Sequence, residues 1–260
     1  MMRLVLLLSF ICFSSVAQKK IVSRNVTGDI TSAYVDRVGE LYVTTKDNQI
    51  QKFDTNGKLL AVYKSGALPT LFEPRDGSRL FAFFRGERKM EYLGPSFDVH
   101  TAFMIDSAFV IDPWFACTSG DHDVWILDAA DHTMKRLSPR TSDIFVDVKF
   151  PENILSDSCS VKSIREYQSF LFLLDAKKGI HVFNGMGRWI RTVATGSLSY
   201  FNFLGEEMYY PAGQKLVFMN LYSGDQREIP ISYPFDTALL TDERLFLVQK
   251  NRIDFFEFRP

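Results

Sequence analysis

One stretch of sequence decides the fold: Ile50-Gln51-Lys52-Phe53-Asp54-Thr55-Asn56-Gly57-Lys58-Leu59-Leu60-Ala61-Val62-Tyr63. Its two apolar halves have the length and composition of short β-strands. Asn56-Gly57 lies between them, and this dipeptide readily supplies the positive backbone dihedral angles of a tight turn. The stretch therefore predicts two consecutive antiparallel strands joined by a hairpin.

The first half of this stretch recurs about six times along the chain. The copies are anchored, in order, on Phe53, Tyr92, Leu127, Phe183, Met219 and Phe256, at spacings of 39, 35, 56, 36 and 37 residues. A module of roughly 40 residues without a helix accommodates four short strands, the size of a propeller blade. The sequence therefore predicts an all-β chain folded as a six-bladed β-propeller of four-stranded blades.

The two ends of the repeat array complement each other. The sixth module ends with Ile253 to Phe258 and contains only three strands, whereas a spare strand, Lys20 to Val26, precedes the first module. An unpaired strand edge invites association with another chain, so closed rings pair it internally. We expect the N-terminal strand to close the ring as the outer strand of the last blade.

The 56-residue spacing contains about twenty extra residues, at about 138–158. Within them, 144–148 could form a strand and 151–155 could form one helical turn. Loops this long are often functional or disordered. Two interpretations remain open: a partner-binding insertion, and a neutral loop packed on the blades.

The N-terminus has the pattern of a secretory signal peptide. Arg3 precedes an apolar run, Leu4 to Phe13, and the small residues Ser15 and Ala17 predict cleavage before Gln18. Residues 1–17 would be removed, and 18–260 would form one exported domain, periplasmic or secreted. The remainder has no apolar run of about 18 residues, so no membrane span is expected.

The composition excludes several classes of protein. With 46% hydrophobic and 23% charged residues, the chain is neither disordered nor collagen-like. A formal net charge of -1 provides no global basic field, so no nucleic-acid partner is expected. After cleavage the cysteines are Cys117 and Cys159, which could form one disulfide in an oxidising compartment or remain buried thiols.

In repeat length and strand pattern, nearly the whole mature sequence resembles the six-bladed β-propellers of exported proteins, loosely of the NHL or TolB-like kind. Propellers similar to gluconolactonases hold a divalent metal in the central channel. The resemblance implies that carboxylates of the first strand of each module could bind a cation such as calcium. The candidates are Asp36, Glu73, Asp112 and Asp236, with Glu166 and Asn202 in the corresponding strands. Turn signals after Asp36 and Asp112 favour the alternative, in which these residues belong to hairpin turns and the protein has no cofactor.

A second candidate site lies in the turns that precede the repeated strands, which are rich in cations. If these turns gather on one face, they could attract an anionic ligand or an acidic protein surface. Interleaved acidic residues favour ordinary solvated turns instead. The cations are Lys46, Arg85, Arg88, His122, Lys178, Lys250 and Arg252.

A rigid scaffold without a catalytic motif predicts a non-catalytic, exported, protein-binding propeller. The sequence has no GxSxG, P-loop or HExxH pattern. One version is an accessory or plugging subunit of an outer-membrane translocon or transporter, with an outer-membrane protein as partner. The alternative is a metal-assisted hydrolase or lyase, of lactonase or glycosidase type, with its site in the central channel.

Overall fold

The computed structural model describes residues 18–75, 77–120, 122–152, 154 and 159–258. Strands make up 54% of the chain and form six separate four-stranded antiparallel sheets arranged as a propeller. The predicted fold class and blade number are therefore confirmed. The predicted signal peptide, residues 1–17, lies outside the described residues.

The strands are numbered in chain order, and β1 (Lys19–Asn25) precedes the first blade. Blades 1 and 2 comprise β2 (Ile30–Val35), β3 (Leu41–Thr45), β4 (Gln49–Phe53), β5 (Leu59–Lys64), β6 (Leu71–Glu73), β7 (Leu80–Phe84), β8 (Lys89–Leu93) and β9 (Val99–Met104). Blades 3 and 4 comprise β10 (Pro113–Thr118), β11 (Val124–Asp128), β12 (Thr133–Leu137), β13 (Ile144–Lys149), β14 (Val161–Tyr167), β15 (Phe170–Asp175), β16 (Gly179–Phe183) and β17 (Trp189–Val193). Blades 5 and 6 comprise β18 (Asn202–Leu204), β19 (Glu207–Pro211), β20 (Lys215–Asn220), β21 (Gln226–Pro230), β22 (Thr237–Leu240), β23 (Arg244–Gln249) and β24 (Arg252–Glu257).

The antiparallel order gives the propeller two distinct faces. Each blade starts with its inner strand beside the channel, so the six inner strands run in the same direction. Turns between the first and second strands, and between the third and fourth, lie on one face, which we call the hairpin face. Turns between the second and third strands, and the connections between blades, lie on the opposite face, which we call the connection face.

The N-terminal strand closes the ring as predicted. β1 pairs antiparallel with β24, from Lys19 opposite Glu257 to Asn25 opposite Arg252. The Lys20 ammonium lies 3.0 Å from the Asp254 carboxylate across this pairing. The sixth sheet therefore has the strand order β22, β23, β24, β1, and the strand that precedes the first blade is joined to the last blade.

The Asn-Gly turn of the opening stretch explains how neighbouring blades interlock. The Asp54 carboxylate accepts hydrogen bonds from the backbone N–H groups of Asn56 (2.9 Å) and Lys58 (2.7 Å), and Gly57 has a φ of 81°. A Cβ atom on Gly57 would lie 2.9 Å from Val22 Cγ1 in β1. Only glycine therefore fits this turn against the outer strand of the preceding blade.

Blade 3 differs from the predicted register. The repeated strand was placed at Val124–Asp128, which the structure shows to be the second strand, β11; the third strand is β12. The apolar pattern missed β12 because it contains a buried cation. The Lys135 ammonium is 2.9 Å from the Asp128 carboxylate and 2.8 Å from that of Asp131.

The corrected register also explains much of the 138–158 segment. Its middle part is β13, the ordinary outer strand of blade 3, where a strand was expected at 144–148. The remaining long connection runs from Phe150 to Ser160, and within it Asn153 and residues 155–158 lie outside the described residues.

Candidate functional site

Glu166 ties blade 4 to blade 3 at the hairpin-face end of the channel. Its carboxylate, on inner strand β14, accepts hydrogen bonds from the Ser119 hydroxyl (2.8 Å), the Gly120 backbone N–H (2.9 Å) and the Trp125 indole N–H (2.7 Å). All three donors belong to blade 3 or its first turn. The carboxylate is therefore committed to blade packing rather than to chemistry in the channel.

Glu73 has the same kind of role between blades 2 and 3. It ends inner strand β6, and one carboxylate oxygen accepts hydrogen bonds from the backbone N–H (2.9 Å) and the hydroxyl (2.7 Å) of Thr118. Its other oxygen, Oε1, lies 4.0 Å from Arg165 Nε and has no hydrogen-bond partner among the described residues. Glu73 thus contributes negative charge beside Arg165 while remaining almost fully buried.

Arg165 is held rigidly beside the channel. Its guanidinium donates a hydrogen bond to Asn202 Oδ1 and lies 5.7 Å from the centre of the Phe203 ring. About a quarter of the side chain, 26%, stays exposed. Because its partners fix the planar guanidinium, Arg165 presents its remaining N–H donors without a large loss of side-chain entropy.

The candidate metal ligands do not converge. Asp36 and Glu73 lie at the hairpin-face ends of inner strands, whereas Asp112 and Asp236 precede inner strands and lie at the connection face. The Asp36 carboxylate accepts hydrogen bonds from the Val38 and Glu40 backbone N–H groups and from the Tyr42 hydroxyl. Burial raises the pKa of Asp36, and these donors only partly oppose that effect.

These four side chains do not fit a shared calcium site. Across the described ranges, no group of three or more His, Cys, Asp or Glu side chains is placed to hold a metal ion. Asp36 organises a turn, as its sequence context suggested, and Asp112 pairs with Arg85 at 3.1 Å.

The cations of the repeated turns lie on the connection face, with one exception. His122 follows the first strand of blade 3 and lies on the hairpin face, because the register of that blade was shifted in the prediction. Lys46 and Lys250 share the Asp29 carboxylate at 2.9 and 3.5 Å. The Lys46 ammonium lowers the pKa of Asp29.

The other predicted cations also have partners. Arg252 contacts the Asp254 carboxylate at 2.9 Å, and Arg88 donates to the carbonyl oxygens of Val110 (2.6 Å) and Ile111 (2.8 Å). Lys178 donates to the Ile154 carbonyl at 3.3 Å. Four of the cations, Lys46, Lys250, Arg85 and Arg252, thus lie beside carboxylates, which weakens the field that an anionic partner would experience there. The carbonyl partners of Arg88 and Lys178 are neutral and do not cancel the charge of those two side chains.

The two cysteines are free thiols in the structure. Cys117 is fully buried in β10, and burial raises the pKa of its thiol well above the usual value, with the Glu73 and Glu166 carboxylates adding to the rise. Cys159 is partly buried and packs against the same core cluster. The sequence left open a Cys117–Cys159 disulfide and two unpaired thiols, and the structure contains the unpaired thiols.

Two cavities occupy the channel and its mouth. The first, about 210 Å³, is lined by the inner strands of blades 1, 2, 4 and 5 and by Thr237 of blade 6. The second, about 260 Å³, lies at the hairpin face and is lined by Arg37, Arg75, Arg79 and His122, among others. Glu73 lines both cavities, so they adjoin at the hairpin-face end of the channel.

An exposed apolar cluster lies on the outer rim where blades 3 and 4 meet, towards the hairpin face. We call it the outer apolar patch; its residues are Ile144, Phe145, Met186, Trp189 and Ile190. The exposed fractions of Phe145, Met186 and Trp189 are 52%, 59% and 42%. The turn containing Met186 packs on β13, since a Cβ on Gly187 would lie 3.3 Å from Val146 Cγ1. The turn that carries Met186 therefore lies against β13, the strand that carries Ile144 and Phe145.

The sequence analysis did not identify this patch, although a signal was present. Outer strands β5, β13 and β17 each begin with two adjacent large apolar residues: Leu59-Leu60, Ile144-Phe145 and Trp189-Ile190. Alternation places only one of two neighbouring residues on the buried side of a strand. Both members of each pair are exposed, so the pairs themselves mark an uncovered surface.

Comparisons with known proteins support the fold but do not assign a family. No protein-family model matches the chain, and no curated protein matches it. Among solved structures, it is similar to virginiamycin B lyase from Staphylococcus aureus, in selenomethionine form (TM-score 0.60, 12% identity, covering 91% of this chain and 98% of that one). It is also similar to a streptogramin B lyase (TM-score 0.57, 12% identity, 94% and 88% covered) and to BamB from Moraxella catarrhalis (TM-score 0.51, 9% identity, 93% and 100% covered). These are propeller proteins, and identities this low show a shared fold only.

Proposed function

We propose that this chain is a non-catalytic, exported propeller that binds a protein of the outer membrane, as an accessory or plugging subunit of a translocon or transporter. The observation that carries the proposal is the outer apolar patch. Aromatic residues and methionine are enriched in protein interfaces, and Phe145, Met186 and Trp189 provide both kinds.

The patch is large enough to form the centre of an interface. Five side chains about half exposed present on the order of 400 Å² of mainly apolar surface, the size at which patches on soluble proteins are often functional. A stable interface buries about 800 Å² on each partner. The patch would supply the centre, and the surrounding turns of blades 3 and 4 would supply a polar rim.

Charge around the patch favours a protein surface as its occupant. Exposed Arg140 and Arg188 lie in the turns that precede β13 and β17, and exposed Asp143 and Asp147 lie beside them. Both signs of charge are therefore interspersed around an apolar centre, as in the rim of a protein interface. The structure describes no helix long and apolar enough to cross a membrane. Anchoring through a partner is compatible with that finding.

The test is capture of the partner from the envelope of the native host. A tagged chain would be purified after gentle solubilisation, and stoichiometric companions identified by mass spectrometry. We expect an outer-membrane protein that is retained by wild type and lost from Phe145→Asp and Trp189→Asp. Met104→Asp is the matched control, because Met104 is 68% exposed but belongs to β9, away from the patch. Equal retention by all three variants would contradict the proposal.

The alternative, a metal-assisted hydrolase or lyase in the channel, is favoured by the presence of a channel cavity. The metal ligands implied for such an enzyme argue against it, since Asp36 and Glu73 already accept hydrogen bonds from protein groups. Thermal unfolding with calcium, with zinc and with a chelator distinguishes the two functions. A specific ligand raises apparent stability, so a clear rise with either metal that is lost in Glu73→Ala would favour the enzyme.

A further inference from the structure

We propose that the channel cavity binds a small ligand that carries one carboxylate and several hydroxyl groups, such as a sugar acid. This site goes beyond protein binding, because it lies on the inner strands whereas the outer apolar patch lies on the rim. The inference rests on the charge of the cavity lining, on the uncommitted hydroxyl groups beside it, and on its size.

The lining has one uncompensated positive charge. Its charged side chains, all within the described residues, are Lys162, Arg165 and Glu73. Glu73 balances one of the two cations, and its carboxylate is turned into the blade 2 and blade 3 contact with Thr118. A ligand entering the cavity therefore meets the two cations more directly than the carboxylate, and one anionic group on the ligand would restore neutrality.

Arg165 is the anchor for that anionic group. Asn202, Glu73 and Phe203 hold its guanidinium in place, while part of the side chain faces open space. Arginine presents paired N–H donors that match a carboxylate. Lys162 is exposed and adds a second positive charge from the same inner strand.

The remaining lining is rich in hydroxyl groups. Ser163, Ser199 and Thr237 line the cavity, and among the described residues none of their three side-chain hydroxyl groups has a hydrogen-bond partner. A hydroxyl group both donates and accepts, so hydroxyl groups on a ligand suit these partners better than an apolar chain does. Unpaired polar groups covered by an apolar ligand would cost free energy, which favours a hydroxylated ligand.

The cavity volume sets the size of the ligand. A water molecule needs roughly 10 to 15 Å³ of such volume, so about 210 Å³ accommodates on the order of a dozen small groups. This matches a single six-carbon sugar acid. A longer oligosaccharide would have to extend into the adjoining cavity at the hairpin face.

Isothermal calorimetry of the purified protein with three probes tests the proposal. Galacturonate carries both features, galactose lacks the carboxylate, and cyclohexanecarboxylate lacks the hydroxyl groups. We expect measurable binding of galacturonate at concentrations up to about 10 mM and at least roughly tenfold weaker binding of the other two. No binding of galacturonate, or equal binding of all three probes, would overturn the proposal.

Two variants locate the site. Lys162→Gln is expected to weaken galacturonate binding roughly fivefold, since it removes one exposed cation from the lining. Lys64→Gln is the matched control, with the same charge change on outer strand β5, and should leave binding unchanged. Equal weakening by both variants would show a non-specific charge effect and overturn the site. Circular dichroism confirms that both variants fold, and the partner-capture assay reports protein binding separately.

Discussion

Glu166→Gln is expected to destabilise the propeller by about 3 kcal/mol, although it changes one atom of one side chain. The carboxylate accepts three hydrogen bonds from blade 3, at 2.7 to 2.9 Å. Glutamine retains one acceptor oxygen, which can serve Ser119 and Trp125. Its amide nitrogen then faces the Gly120 N–H, so two donors oppose each other in a partly buried site.

The magnitude follows from these losses. An unsatisfied buried donor costs about 1 to 3 kcal/mol, and replacing a charged acceptor by a neutral one weakens each remaining bond by about 1 kcal/mol. For a domain of this size, about 3 kcal/mol corresponds to a fall in Tm of about 6 to 12 °C. Urea unfolding followed by tryptophan fluorescence measures the change in free energy directly.

Two further variants separate the hydrogen bonds from the charge. Glu228→Gln removes a half-exposed carboxylate paired with Lys215 at 2.7 Å, and should cost less than about 1 kcal/mol. Trp125→Phe removes the indole donor, and the double variant with Glu166→Gln should show a coupling of about 1 to 2 kcal/mol. A loss below about 1 kcal/mol for Glu166→Gln, or no coupling, would refute the assignment of Glu166 as the link between blades 3 and 4.

Three other predictions concern the fold. Lys135→Met should lower the free energy of unfolding by about 3 kcal/mol, because it leaves the buried Asp128 carboxylate without its cation. Denaturant unfolding measures this change, and a loss as small as that for an exposed lysine would contradict the prediction. Burial acts to raise the pKa of Asp128, but hydrogen bonds from the Asp112 N–H and Lys135 outweigh burial and lower it. The stability that the ionised Asp128 contributes is therefore present above the pKa of an unfolded aspartate, about 4, and is lost as pH falls through the lower pKa of the folded state. In Lys135→Met the free energy of unfolding should fall less steeply with acid. Removing residues 18–25 should abolish the stable monomer, since β24 keeps β23 on one side but loses β1 and has an unpaired outer edge. Size exclusion and circular dichroism check this, and an unchanged monomer and Tm would show that closure is dispensable. In the native protein Cys117 should resist a thiol reagent that modifies Cys159, because burial raises the pKa of Cys117 and blocks access; equal modification rates would disprove the buried position.

The sequence predicts the blades because their strands and turns are specified locally. The sixfold recurrence of one strand pattern predicts six blades, and the three-stranded last module together with the spare N-terminal strand predicts how the ring closes. The register of blade 3 could not be predicted, because Lys135 is buried only through Asp128 and Asp131, and such pairing depends on tertiary contacts. The same reason applies to Glu73 and Glu166, whose partners lie 41 to 47 residues away in the chain.

The outer apolar patch is an intermediate case. The adjacent pairs Ile144-Phe145 and Trp189-Ile190 break strand alternation within the sequence itself, so an exposed surface could have been inferred from them. Their union into one patch could not, since it depends on the Met186 turn of blade 4 packing on β13 of blade 3.

We propose that this propeller binds its protein partner through the outer apolar patch. The most direct measurement is the affinity of the captured outer-membrane partner for wild type and for Trp189→Ala, by surface plasmon resonance. Burying about 100 Å² of the Trp189 side chain is worth about 2.5 kcal/mol, so Kd should rise on the order of 50-fold or more, whereas Met104→Ala should leave it unchanged. An unchanged Kd for Trp189→Ala, or an equal loss for both variants, would contradict the account.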